Sequence, residues 1–314
     1  MKASYKLFFL LMVMNIACET LVTDIPESRL PHAESKLVVH SFISPQAERI
    51  TVVVSESQPL FPQSDVTDRV IENAVVTISD GTGEVVLPFD ELTRMYSIDQ
   101  SKFPIKASKT YHLIVSAGVR NVTAQCTVPK NIPVIKSYVL DKVVSPNAFF
   151  GNDEAITLKM DWTDISGETN YYRVRAEADI EYSIPDPKSQ EKRIRNDFNF
   201  NWDEMTGRAE LQTDQNRDGM LFSSPLGKVT LPNFTSVIPE STTQQPFDPK
   251  SRVISVIMMI YNTDIHYHKY HKSMQVHIDA DNPFSEPTTV YTNIQGGLGC
   301  FGAYNLGKLT YQPD

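Results

Sequence analysis

From Lys36 onward, apolar residues recur at every second position over short runs, and that spacing decides the element. A strand turns successive side chains to opposite faces, so a period of two builds a sheet with one buried face. Ile50, Val52 and Val54 share a face, as do Ala74, Val76 and Ile78. Asp80-Gly81-Thr82-Gly83 supplies a tight turn with glycines able to take positive φ, and 84–87 returns as the next strand. Tyr111, Leu113 and Val115 alternate with His112, Ile114 and Ser116, and Val122, Ala124, Cys126 and Val128 alternate with Asn121, Thr123, Gln125 and Thr127. Short strands with turns between them and no helical pattern predict an immunoglobulin-like β-sandwich over residues 36–130. The Cys-Trp-Cys hallmark of antibody domains is absent, so that expectation rests on patterning alone.

Pro129-Lys130-Asn131-Ile132-Pro133 marks a domain boundary, because paired prolines interrupt helix and central strand alike. Residues 134–314 read as a second, larger β-rich domain with strands near 155–162, 171–183, 198–202, 229–231, 253–261 and 289–294. The basic stretch 185–196, with Lys188, Lys192, Arg193 and Arg195, is expected to be an exposed hairpin end. One helix interrupts the pattern. Asn262-Thr263-Asp264 can cap its start, and Tyr267, Tyr270, Met274 and Ile278 make one apolar stripe at three-to-four spacing. The predicted fold class is therefore mainly all-β, with a single helix packed on the second domain.

The first residues carry a different message. Lys2 and Lys6 precede the apolar run 7–14, and Cys18 follows Asn15-Ile16-Ala17. A charged start, a short apolar core and a small residue before a cysteine make a lipoprotein signal over 1–17. The run is shorter than the roughly 20 residues a membrane-spanning helix needs. Cys18 would be acylated and would become the mature amino terminus, and 18–35, with Pro26 and Pro31, would form a lipid-anchored stalk. The chain carries a net charge of -9, which argues against nucleic-acid partners and against electrostatic attachment to anionic lipid. Only Cys126 and Cys300 remain, and both read as buried apolar residues rather than a disulfide framework.

Motifs that carry chemistry are few. Gly297-Leu298-Gly299-Cys300-Phe301-Gly302 fits G-x-G-x-x-G, but the helix and later acidic residue of a dinucleotide site have no room after it. The glycines are expected to allow tight turns and close backbone approach. Asp214, Asn216 and Asp218, followed by Gly219, match the first half of a calcium loop. Pro225 stands where the loop's bidentate glutamate belongs, so calcium would need a distant carboxylate. His266, His268, His271 and His277 cluster, yet on a helix His266 and His268 face opposite sides; they are expected at the surface beside the apolar stripe. Asp161 and Asp164 flank Trp162 as a carboxylate pair of the kind glycosidases use. There is no nucleophile elbow, zinc-protease or phosphate-loop motif, and the chain is expected not to be an enzyme.

The end of the chain is its most specific part. Asn282, Pro283, Phe284, Glu286 and Pro287, then Val290-Tyr291-Thr292-Asn293-Ile294, then Gly296, Gly297 and Gly299, then Phe301 and Gly302, form a long composite motif. Together with Cys18-Glu19, the 36–39 strand and the 109–113 strand, it closely resembles the Bacteroidota lipoproteins of domain-of-unknown-function family 4249. Cys300 departs from the aliphatic residue usual at that place. The resemblance implies an outer-membrane lipoprotein without an established catalytic site, acting beside a TonB-dependent transporter in ligand capture or gating. A stand-alone surface protein that binds glycan or peptide is the alternative. In either case the motif is expected to serve the scaffold.

Overall fold

Where the period is two, strands form. The structure is a computed structural model that describes residues 34–58, 69–147, 151–186, 190–203, 209–232, 251–279 and 289–313. The signal, Cys18, most of the stalk, and Asn282, Pro283, Phe284, Glu286 and Pro287 lie outside the described residues.

β1 (Leu37–Ile43) buries Leu37, Val39, Ser41 and Ile43 on one face and leaves Val38, His40 and Phe42 half-buried on the other. β2 (Arg49–Glu56), β3 (Val75–Ser79), β4 (Glu84–Leu87), β5 (Phe89–Asp90), β6 (Met95–Asp99), β7 (Thr110–Ala117) and β8 (Arg120–Thr127) follow. The 80–83 turn closes as expected: Asp80 Oδ1 accepts from the N–H groups of Thr82 and Gly83, and Gly81 takes φ 83°. β1, β2, β6 and β5 lie side by side, and β4, β3, β7 and β8 form a second layer. Val39, Val52, Ile78, Leu113 and Val122 belong to the core cluster these strands enclose. The N-terminal strands thus make a β-sandwich, and the chain as a whole is all-β with one described helix.

The later strands build a second pair of layers. They are β9 (Ile135–Asn147), β10 (Gly151–Thr163), β11 (Tyr171–Asp186), β12 (Gln190–Asn199), β13 (Asn201–Asp203), β14 (Leu211–Thr213), β15 (Leu221–Ser223), β16 (Leu226–Thr230), β17 (Ser251–Thr263) and β18 (Leu298–Tyr311). β11 and β12 form the basic hairpin, but their pairing starts as far back as Glu177↔Asn199. Leu158, Met160 and Trp162 of β10 meet Val174 and Ile180 of β11 and Val256 and Ile260 of β17 in a second core.

The two layer pairs share a sheet, because β18 belongs to both. Its first half pairs parallel with β1, from Val38↔Leu298 to Ile43↔Ala303. Its second half pairs antiparallel with β17, from Thr263↔Tyr304 to Val256↔Tyr311. The described strands of this sheet run β12-β11-β17-β18-β1-β2-β6-β5, with β14 also on β11. Lys36–Glu56 and Arg69–Asp314 accordingly form one unit.

The strand expected at 289–294 does not form. Asn293 holds the place instead: its Nδ2 donates to Phe301 O at 2.8 Å and its Oδ1 accepts from Phe301 N–H at 2.9 Å. One side-chain amide therefore takes both backbone groups that a neighbouring strand would use.

The helix, α1 (Ile265–Asp279), forms as the stripe predicts. Its start is fixed twice. Asp264 Oδ1 accepts from Tyr267 N–H at 2.8 Å, and Asp264 N–H donates to Ala303 O on β18 at 2.9 Å. The stripe ends early, since Ile278 is 66% exposed. Among the described residues no helix is long and apolar enough to cross a membrane.

Candidate functional site

Chemistry-bearing side chains concentrate where α1 lies over β1, β18 and β11. Tyr267 is buried and meets Phe42 edge-on at 5.0 Å between ring centres. A Cβ on Gly302 would stand 3.0 Å from Tyr267 Cβ, so the absent side chain lets the helix settle on the strand. Gly299 is stricter. It takes φ 102°, and a Cβ there would come within 2.1 Å of the Val39 carbonyl oxygen across the parallel pairing. Phe301 is fully buried in the first core. In β11, Arg173 is ion-paired with Glu210 and donates from Nη1 to Tyr267 Oη at 2.9 Å. The terminal motif, so far as it is described, thus clamps strand, helix and first core together.

The histidines are not the surface residues expected. His266 Nδ1 lies 2.7 Å from Tyr291 Oη, His268 packs on Tyr171, and His271 packs against Tyr267, Phe42 and Tyr270; only His277 is exposed. Each of the first three turns toward a different aromatic partner, so they hold no common ion. Burial pushes the His271 imidazole down to about 3, with Arg173, Arg175, His40 and His268 adding to the effect. Burial, reinforced by Lys272, pushes His268 down to about 4. The helix therefore rests on neutral imidazoles. Asp264 moves the other way: burial raises its carboxyl to about 7, opposed by N–H groups of Tyr267, Ala303, Thr127 and His266. Cys126 and Cys300 are both buried thiols, and Cys300 Sγ donates to His266 O at 3.5 Å.

A second cluster lies where the β10–β11 and β14–β15 connections meet. Carboxylate oxygens of Asp164, Asp214 and Asp218 lie within 4.8 Å of one another. Two ionised carboxylates at such spacing repel by about 3.5 kcal/mol at an effective dielectric near 20. Donors surround them. Asp164 accepts from Tyr172 Oη at 2.8 Å and Gly219 N–H at 2.7 Å, Asp214 from Asn170 N–H at 2.9 Å, and Asp218 from Gly167 N–H at 2.8 Å. The half-loop read from the sequence thus gains the distant carboxylate it lacked, and three oxygens of this type suit a hard cation. Asn216 sits exposed in the turn with φ 62°. The glycosidase-like pair does not hold together. Asp164 joins this cluster, whereas Asp161 accepts from the hydroxyls of Ser223 and Ser137. Asp164 was visible as a carboxylate in the sequence, but its partners lie about 50 residues away and no local spacing announces them.

The fold and this site define an all-β protein in which one strand is shared by two sandwiches and pinned by a helix. The chain belongs to the family described as domain of unknown function DUF4249, whose model matches residues 19–310. No curated protein and no solved structure matches it.

Proposed function

We propose that the protein is a lipid-anchored outer-membrane accessory protein that assists a TonB-dependent transporter in ligand capture or gating. The observation that carries this reading is Cys18 at the end of a charged and apolar leader. A stalk of fewer than twenty residues joins that sulfur to β1, which begins at Leu37 in the interior of the shared sheet. Confinement near the membrane raises the effective concentration of the body toward a membrane partner without any new contact. The fold supports a rigid body: α1, β1 and β18 are locked by Asp264, Gly299 and Tyr267. The Bacteroidota source and the transporter partner extend the family resemblance and are part of the proposal.

Two experiments test it. Cys18→Ser is expected to release the protein from the envelope fraction and to abolish incorporation of labelled palmitate. Cross-linking in outer membranes, followed by detergent purification, is expected to enrich one β-barrel transporter. Membrane retention of the serine variant defeats the anchor, and the absence of any enriched barrel defeats the transporter role in favour of a stand-alone binder of glycan or peptide.

A further inference from the structure

Lys269, Lys272, Ser273 and Val276 recur along α1 at the spacing of one helix face, on the side turned away from Tyr267. With His268, Thr289 and Tyr291 they line an open groove of about 480 Å³ whose walls are mostly carbon. Most polar groups of that lining are already engaged. Ser273 Oγ donates to Tyr270 O and accepts from Tyr291 N–H, both at 2.8 Å. Tyr291 Oη lies 2.7 Å from His266 Nδ1, which leaves its ring as the surface it offers. His268 packs on Tyr171, and burial keeps its imidazole neutral. Two ammonium groups and the Thr289 hydroxyl remain. Lys269 and Lys272 are exposed, and Lys269 Nζ lies 5.7 Å from the centre of the Tyr291 ring. Among the described residues neither has a carboxylate partner, whereas Lys109 pairs with Asp80 and Lys142 with Glu154. No described acidic side chain lines the groove, in a chain that carries 38 Asp and Glu against 29 Lys and Arg.

We propose that this groove binds an organic monocarboxylate with an apolar body, either an aliphatic or an aromatic acid. Lysine ammonium groups donate and carry no lone pair, so the head that suits them is an acceptor with negative charge. Lys269 and Lys272 stand one turn apart on the same face, which lets the two oxygens of one carboxylate accept from both. The Tyr291 ring and Val276 then cover the apolar body. A concave, mostly apolar surface with a few placed polar groups is the usual form of a small-molecule site. A phosphate group fits less well, because its sites draw on free backbone N–H groups or an arginine fork. Here the N–H groups of Lys269 to Val276 lie inside the helix ladder, and that of Tyr291 is taken by Ser273. A neutral sugar would leave both charges unanswered.

This inference does not rest on the transporter reading: it is tested on the purified chain, and its failure leaves the anchor and the membrane partner untouched. Titration calorimetry of the full chain with hydrocinnamate and hexanoate, with the neutral amide of each, and with inorganic phosphate tests it. At least one carboxylate is expected to bind at millimolar concentration, and the tighter of the two assigns the apolar body as aromatic or aliphatic. Its amide is expected to bind at least about fivefold more weakly, the share that two exposed ion pairs supply. Lys269→Gln combined with Lys272→Gln is expected to lose about the same factor, and Val276→Glu, which sets an anion in the groove, to abolish binding. Lys102→Gln combined with Lys106→Gln removes two exposed charges elsewhere and is expected to bind as the parent does. All five positions are exposed, so each variant is expected to melt with the parent. Equal binding of the amides or of phosphate, unchanged affinity without Lys269 and Lys272, an equal loss without Lys102 and Lys106, or no heat from either carboxylate overturns the proposal.

Discussion

Gly299 shows how one missing carbon sets a backbone. With φ at 102° and the Val39 carbonyl oxygen 2.1 Å from where a Cβ would sit, alanine has no room to relax without separating β1 from β18. Gly299→Ala is expected to cost about 3 kcal/mol or more, read by chemical denaturation. Titration gives a second residue-scale expectation. His271 falls from 6.5 unfolded to about 3 folded, so its stabilising contribution is full above pH 6.5 and is lost as pH falls toward 3. Asp264 rises from 3.8 to about 7, so its protonated form favours the fold and stability declines as pH rises between those values. His271→Gln is therefore expected to remove about 2 kcal/mol of the acid loss between pH 7 and pH 5, whereas Asp264→Asn steepens that loss. Denaturant midpoints across this range check both signs, and an unchanged acid limb in His271→Gln would show that this imidazole is not buried neutral. The sequence shows that glycines and histidines are present but not which way they face. Gly299 was legible as a close approach because glycine repeats there. The burial of His268 and His271 was not, because their cover comes from Tyr171 and Phe42, residues distant in the chain.

At the scale of elements, local pattern carries most of what forms. The alternation of β1, β2, β7 and β8 and the capped stripe of α1 were readable because each element's periodicity matches the surface it buries. The stretch 289–294 misled for a definite reason: a strand-like run is indistinguishable by period from an extended segment whose one asparagine captures the neighbouring backbone. The helix separates anchor from overhang within one stripe. Tyr267 is buried, faces Phe42 and accepts from Arg173, whereas Ile278 lies 66% exposed at the far end. Tyr267→Ala is expected to cost about 3–5 kcal/mol, a core-sized loss that also strips Arg173 of a partner. Ile278→Ala is expected to stay within about 0.5 kcal/mol of the parent. Thermal melts of the two variants decide whether the stripe anchors at one end, and equal losses would contradict the packing described.

For the molecule as a whole, the decisive contact was the one no local pattern could reveal. Parallel pairing of the first described strand with the last joins residues about 260 positions apart, and it turns two runs of strands separated by Pro129 and Pro133 into neighbours in a single sheet. β18 gives Phe301 and Ala303 to the first core, while Tyr311 packs against the second. Opening either sandwich therefore strips one side of a strand that the other also needs, and the two cores should lose structure together. Leu113, 2% exposed, lies in the first core, and Leu158, fully buried, lies in the second. Replacing either by alanine is expected to cost about 2–5 kcal/mol and to move one common unfolding transition rather than split it. Fluorescence and circular dichroism should trace coincident curves for the parent and both variants, since all-or-none unfolding requires that different probes agree. Hydrogen exchange provides the residue-level check. Amides of β18 between Gly299 and Leu309 should be among the last to exchange, and should lose protection by the same amount whichever leucine is removed. Two separated transitions, or loss of protection confined to one half of β18, would show that the shared strand does not couple the cores.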